Sequence, residues 1–584
     1  MTAVETFYNM VLETPPMEST AKDLCSRLKP PLQNLPALSF CASKPAAVKA
    51  WAESLPATQV GRTSVMLYKV LPEFSRLQIE PEKRMAMLEA LRPNVQQCIE
   101  GLSKNFLNQP LLLTDAAIKA ATVAQALQKH MSNAYTVCVL DVYQAKKYHS
   151  KTLLQALHRA ITGLGLMLMR SYQLYTPVRS QIWHEIYTLY LIAEDKLLLG
   201  EAFSDALQRG AKPMTLEQLC MRALLLSCVR PNQLRQQEVA AVYYALESWA
   251  TKSHLVPCGE IEAQSLHLVC LDLDQPPIYR NRYQGSIDGS VRDLDNSALL
   301  YLLKELADSG ADLPQQVTPT LLENLIRAWD LPSSRDFERL SVHAELQVCV
   351  GLTHVCSHLS GLSAAENSKV MKSESSRFDA CATHQQEDIW DEAYDSGSCS
   401  MEEHRAFTLT PERQNVAPPV PEALQSFKVN TLDISPGGYC LNWREEMPSQ
   451  ARVGEVVGLK EQQHSQWNVG VIRWVQQSSR GTQLGAQLLA PMAEAVEIAM
   501  INKVGDDSRY MRALLMPALT VAKQPATLLC ASMPFREHCK VYLKCDGVSA
   551  SSKLQLTRRL LATSSVSQFE FRVLEGELKV KPGA

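Results

Sequence analysis

Between about residues 20 and 250, apolar side chains recur every three to four positions. AAVKAWAESL, RMAMLEALRPNVQQCIEGL, LLQALHRAITGLGLMLMRSYQLY and VAAVYYALESWATK place them at i, i+3, i+4 and i+7, which is one face of a helix. Breakers separate these runs at LPATQVG, YTPVRS and VRPNQ, where Pro, Gly and small polar residues interrupt the pattern. The expectation is a helical bundle or an α-solenoid-like stack, without the fixed period of a repeat family. Around 255–285 the run IEAQSLHLVCLDL alternates and leads into DQPPIYRNRYQG, so a small strand insertion is expected there. Helical spacing returns in SALLYLLKELADSG and TPTLLENLIRAWDLP, with Gly310 and Pro332 as stops. SVHAELQVCVGLTHVCSHL is read as a further helix.

Residues 364–401 are polar and acidic with little periodicity. Such a segment buries too little apolar surface to offset its ordering entropy, so it is expected to be a flexible linker. Beyond 425 the period changes to two. FKVNTLDI, GEVVGLK, QWNVGVIRWVQQ and TQLGAQLLA read as strands, with SSRG at 478–481 as a hairpin turn. YMRALLMPA, PATLLCAS, CKVYLKCDG, SKLQLTRRLLATS and QFEFRVL form a second strand cluster. The fold class is therefore multidomain α+β, a large helical N-terminal region followed by an antiparallel β-barrel and a further small β unit. The expected boundaries are 1–250 helical, 251–363 mixed, 364–401 linker, 402–498 barrel and 499–584 C-terminal β domain.

Composition narrows the function. The 584 residues are 46% hydrophobic and 20% charged, with a net charge of -3, an ordinary globular balance with enough apolar content for several cores. That charge argues against nucleic acid or an anionic membrane as the partner. The start MTAVETFYNMVLETPP does not resemble a secretory signal. The most apolar run, ITGLGLMLM at 161–169, is too short to span a bilayer and ends in Arg170. A cytoplasmic protein with no transmembrane segment is expected. Its 16 cysteines are scattered without a C-x-x-C pair, so each is expected to be a small buried hydrophobe.

Several motifs carry candidate chemistry. His354 and His358 share a helix face at i, i+4, but Val355 stands where a zinc hydrolase needs Glu and no third ligand follows. The carboxylates of LDLDQ at 271–275 read as a solvated strand end. Phosphate loops, dinucleotide fingerprints and nucleophile elbows are absent from the sequence, so no metal, cofactor or enzymatic role is expected. The stretch NTLDISPGGYCLNW at 430–443 is richer. Asp433 and Ser435 can hydrogen-bond the edge of a purine, while Gly437 and Gly438 allow close backbone approach. Upstream, Arg405 and Arg413 could stack on a base and fork onto a phosphate. Downstream lie Arg473, Trp474 and, in the turn, Arg480.

DISPGGYCLNW, GEVVGLK and NVGVIRWVQQSSRGTQLGAQLLAP together resemble the PilZ domain, the bacterial cyclic di-GMP receptor module, over about 402–495. The resemblance implies a six-stranded barrel with an R-x-x-x-R motif on the preceding loop and [DN]-x-S-x-x-G at a strand start. Asp433, Ser435 and Gly438 match the second motif. The first motif is not matched: Arg405 and Arg413 stand eight apart around Leu409, so the R-x-x-x-R pair is read as missing. More faintly, the whole chain is similar to effectors of the FimW kind, linked to type IV pili. The resemblance thus implies a non-enzymatic cyclic di-GMP receptor. Its site would hold Arg405, Arg413, Asp433, Ser435, Gly438, Arg473 and Arg480. The helical region would meet a protein partner of the motility or pilus machinery at the cell pole or inner membrane. The alternative is a ligand-independent scaffold whose degenerate barrel serves as a docking module.

Overall fold

The 3.6-residue periodicity of the first half becomes a bundle built around two long central helices. A computed structural model describes residues 23–578, apart from 146–148, 208–211, 261–264, 311, 333–337, 361–424, 445–446, 463, 465, 479, 503–506, 519–524, 546–550 and 577. The helices are α1 (Pro45–Glu53), α2 (Val60–Arg76), α3 (Pro81–Ser103), α4 (Asp115–Tyr143), α5 (Ser150–Gln173), α6 (Ile182–Asp195), α7 (Leu216–Cys228) and α8 (Gln236–Trp249). The apolar run at 161–169 lies inside α5 and is buried against its neighbours. Among the described residues, no helix is long and apolar enough to cross a membrane. Thr114 caps α4 by accepting from the Ala117 amide, and Thr215 and Gln218 form a capping box on α7.

An ionic network is buried within the bundle. Arg92 forks onto Asp205 at 2.7 and 2.6 Å, and Arg159 bridges Asp205 at 3.0 Å and Glu89 at 2.9 Å. Burial alone would push the Asp205 carboxyl up, but Arg92 and then Arg159 hold it below the usual range.

Next come two short strand pairings. β1 (Ala202–Phe203) pairs with β2 (Met214–Thr215). β3 (His254–Pro257), β4 (His267–Cys270), β5 (Ile278–Tyr279) and β6 (Val291–Asp295) form a sheet in the order β3-β6-β4-β5. The two carboxylates of LDLDQ are structural. Asp272 pairs with Arg27 at 2.9 Å, and Asp274 accepts from the amides of Gln181, Trp183 and His184 at the start of α6. α9 (Ser297–Ser309) stops at Gly310, and α10 (Pro319–Asp330) stops before Pro332, as the breakers predict.

The stretch 341–359 corrects the sequence reading. It is not one helix: β7 (Glu345–Val350) comes first, then α11 (Leu352–Ser360), with Gly351 between them at φ +101°. Leu346, Val348 and Val350 of ELQVCV face the barrel core, while Glu345, Gln347 and Cys349 face outward, with Cys349 in the cluster under α11. The strand's i, i+3 matches to a helix are incidental. β7 joins β8 (Phe427–Ser435), β9 (Gly438–Trp443), β10 (Val456–Glu461), β11 (Asn468–Ser478) and β12 (Gly481–Pro491) in a closed barrel, ordered β7-β8-β9-β12-β11-β10. Its first strand therefore precedes the 402 boundary expected from the sequence. The acidic stretch 364–401 lies outside the described residues. β13 (Glu494–Met500), β14 (Met511–Met516), β15 (Thr527–Ala531), β16 (Lys540–Cys545), β17 (Ser551–Ala562) and β18 (Val566–Glu575) close a second barrel, ordered β13-β14-β15-β18-β17-β16.

The three units are tied together. Gln477 of β11 donates its backbone amide to the Tyr175 carbonyl and its side-chain amide to the Leu111 carbonyl, each at 2.8 Å. Arg235 of the helical half donates to Val453 in the first barrel region and to Ser565 in the second. Val355 and Cys356 of α11 share one apolar cluster with residues of both barrels.

Candidate functional site

The β8–β9 hairpin turns through Pro436 and Gly437, with Ser435 paired to Gly438. Pro436 presets a negative φ at the first turn position. The Ser435 hydroxyl donates to the Gly438 carbonyl at 3.2 Å. Gly438 is required by close approach: a Cβ there would lie 2.1 Å from the Ala486 carbonyl oxygen on β12.

One row of cross-strand partners runs from this hairpin around the barrel wall. Asp433 pairs with Cys440, Cys440 with Gly485, and Gly485 with Trp474. Partners directly opposite in an antiparallel ladder point to the same face. Their neighbours Tyr439, Leu441, Leu484, Ala486 and Val475 fill the barrel core, so this row is on the outside. The Trp474 indole lies flat across Gly485, where a Cβ would meet Nε1 at 1.8 Å. The register shifts at Asp433 and at Trp474, and such bulges re-aim side chains at functional surfaces.

A strap from upstream of β7 crosses the hairpin. Leu340 and Ile434 exchange both backbone hydrogen bonds at 2.9 Å. Thr431, fully buried, donates its hydroxyl to the Val342 carbonyl at 2.6 Å and accepts from the Ala344 amide at 3.0 Å. This seats Arg339 beside Asp433, with Nη1 3.1 Å from each carboxylate oxygen. Both side chains remain partly open to solvent. Burial, and then the Asp433 charge, push the Cys440 thiol up to about 11, with Arg339 opposing. Cys440 is therefore a neutral thiol at neutral pH.

Sequence reasoning missed Arg339. Arg335 and Arg339 stand at R-x-x-x-R spacing in SSRDFERL. The motif escaped notice because it was sought just upstream of β8, whereas β7, α11 and residues 361–424 separate the two. Arg335 lies outside the described residues, as do Arg405 and Arg413. Asp433, Ser435 and Gly438 share one hairpin. Arg480 does not join them: it is exposed at the β11–β12 turn, next to the Thr482–Trp443 pair, at the other end of β9 from Gly438. Arg473 also sits elsewhere, three strands along the wall from β8, beside a cavity it shares with Arg230 and Arg327. His358 stacks on Trp467 at 4.8 Å. Among the described residues no group of three or more His, Cys, Asp or Glu could hold a metal ion.

Three family models match the chain in succession. They describe the N-terminal domain of the cyclic-di-GMP receptor FimW over residues 46–258, its middle PilZ domain over 266–495 and its C-terminal beta-barrel domain over 496–574. The cyclic-di-GMP receptor FimW of Pseudomonas aeruginosa is 31% identical over 587 aligned residues, covering 96% of this chain and 95% of that protein. No solved structure matches the chain.

Proposed function

This chain belongs to the FimW family of cyclic-di-GMP receptors, and from that membership we propose that it binds cyclic di-GMP on the outer wall of its first barrel. The Arg339–Asp433 contact carries the reading, because it sets a guanidinium from the strap against the D-x-S-x-x-G hairpin. Arg339, with Arg335 one helical turn's spacing before it in sequence, supplies positive charge for phosphate and a plane for a guanine. Asp433 and Ser435 address the edge of a base. The exposed part of Trp474 offers an aromatic face along the same row. Arg473 and Arg480 are left out of this site, and Arg405 and Arg413 are an alternative arginine arm on the segment after α11.

Arg339 already has a carboxylate partner, so a dianionic ligand must compete for it or join the pair. Either event acts on the strap between α10 and β7. Ligand occupancy is thereby linked to the position of the helical half. That half is the output surface, meeting a protein partner of the type IV pilus or motility machinery from the cytoplasm, at the pole or inner membrane. The protein acts by binding and not by catalysis. Calorimetry of the full chain with cyclic di-GMP tests the ligand: saturable heat supports the proposal, and no heat at tens of micromolar, a usual small-ligand range, overturns it.

One observation favours a second reading. The Arg339–Asp433 pair satisfies both charges without a nucleotide, as a ligand-independent docking barrel would need. Pull-downs with and without cyclic di-GMP separate the two, since a scaffold keeps the same partners in both.

A further inference from the structure

Arg473 is placed by the fold at a junction of the helical half and both barrels. The cavity there has a volume of about 90 Å³. Arg230 reaches it from the turn after α7, Arg327 from the last turn of α10, and Arg473 from β11; Thr563 and Ser564 come from the β17–β18 connection. Arg230 is held at the cavity by a left-handed backbone (φ 56°) and by bonds from Nε to the Tyr279 hydroxyl and from Nη2 to the Leu331 carbonyl, both 3.1 Å. Arg327 and Arg473 have no hydrogen-bonded or ion-paired carboxylate among the described residues. The carboxylate that does line the cavity, Glu238, is engaged by the Arg235 amide and the Ser564 hydroxyl.

Three guanidiniums sharing a small, partly enclosed space repel one another more strongly than they would in water. Burial, then Arg327 and then Arg230, lower the Arg473 pKa. A fold that gathers three guanidiniums and a single carboxylate, Glu238, at one cavity keeps an excess of positive charge there and gains stability from an anion that fits between the arginines. The volume is well below the roughly 300 Å³ at which ordinary small-molecule pockets begin, so a whole dinucleotide does not fit. A tetrahedral oxyanion does. Guanidinium N–H groups are the donors such an ion takes; the Thr563 and Ser564 hydroxyls line the cavity but donate to the Gly454 carbonyl and to Glu238.

We propose that Arg230, Arg327 and Arg473 form a second anion site, distinct from the Asp433 hairpin, which takes one phosphate-sized oxyanion and braces the helical half against the two barrels. The anion is either free phosphate or the terminal phosphate of a larger monoester whose body stays outside the cavity. The site does not depend on cyclic di-GMP binding, and its test has a separate readout.

The experiment is calorimetry and thermal unfolding of the full chain in inorganic phosphate, in GMP as a phosphate monoester, and in chloride at matched ionic strength. Saturable phosphate or GMP binding with a raised melting temperature, weakened about tenfold or more in Arg473→Gln and Arg327→Gln, is expected for loss of one charge-assisted contact. Tighter GMP than phosphate identifies a monoester as the source, and phosphate alone identifies the free ion. Arg327 is exposed at the cavity mouth, so its variant remains a valid test if Arg473→Gln folds poorly. Cyclic di-GMP affinity should stay within about twofold in both variants, while Arg339→Ala should keep the phosphate response. Absence of a phosphate- or GMP-specific effect beyond chloride, or wild-type anion affinity in Arg327→Gln, overturns the proposal.

Discussion

Arg339 Nη1 sits 3.1 Å from both carboxylate oxygens of Asp433, across a strap whose backbone is bonded to β8 at Leu340 and Ile434. The two residues are 94 positions apart in the chain. Their meeting is produced by barrel closure, with β7 and β8 neighbours in the sheet despite the long segment between them. Because the pair is partly exposed, its own contribution to stability is small, about 0–1 kcal/mol. Arg339→Ala should therefore leave the melting temperature within about 2 °C of wild type while removing cyclic di-GMP binding. A large loss of stability would mean that the arginine holds the barrel together instead.

The strap depends on Thr431. Thr431→Val keeps the shape but deletes the hydroxyl that bonds Val342 and Ala344. Leaving those part-buried backbone groups short of a partner should cost about 1 kcal/mol. Amide exchange at Leu340 and Ala344 should quicken, and cyclic di-GMP affinity should fall because Arg339 is no longer held in place. Unchanged exchange at both amides would contradict this role.

Gly438 tests the hairpin by sterics. In Gly438→Ala the new methyl would sit 2.1 Å from the Ala486 oxygen, so β9 and β12 must separate. A destabilisation of about 1–3 kcal/mol is expected, in the range of an overpacked core, together with loss of ligand binding. Urea unfolding measures it, and a wild-type midpoint would refute the close approach.

How much of this was legible in the chain follows from which forces are local. The helices of the first half were readable because their apolar faces repeat at helical spacing and their ends carry Thr, Gly or Pro signals. The strands after 425 were readable because alternation is local too. β7 was not: its alternation spans only six residues and runs straight into the helical spacing of GLTHVCSHL, so SVHAELQVCVGLTHVCSHL reads as one helix. Asp433, Ser435 and Gly438 could be found because they lie within six residues of one another. Arg339 could not be assigned to them without knowing that the barrel begins before residues 361–424. Arg473 looked like a ligand residue by its place in GVIRW, and only the packing of α10 and the turn after α7 shows which arginines it faces.

The pH dependence has its own signature in the helical half. The buried His158 ring packs against Phe203 at 5.3 Å. Burial, and then the neighbouring Arg159 charge, pull its pKa down to about 3. The unfolded chain titrates near 6.5. Because the folded value is the lower one, the stability is fully present above about pH 6.5 and is lost as pH falls toward 3. At pH 5 the loss should be about 2 kcal/mol. His267, pulled down to about 4 by burial and then Arg230, adds a loss of the same sign. His158→Gln should flatten the slope of unfolding free energy between pH 7 and 5, measured by urea titration. An unchanged slope would show that His158 does not titrate on unfolding.

The most direct test of the central claim is calorimetry of cyclic di-GMP with five full-length proteins: wild type, Arg335→Ala, Arg339→Ala, Arg405→Ala and Arg413→Ala. The strap-and-hairpin site predicts saturable binding in wild type and in the Arg405 and Arg413 variants, and a loss of about tenfold or more in the Arg335 and Arg339 variants. Wild-type affinity in Arg339→Ala with binding abolished in Arg405→Ala or Arg413→Ala would contradict it and move the arginine arm to the segment after α11.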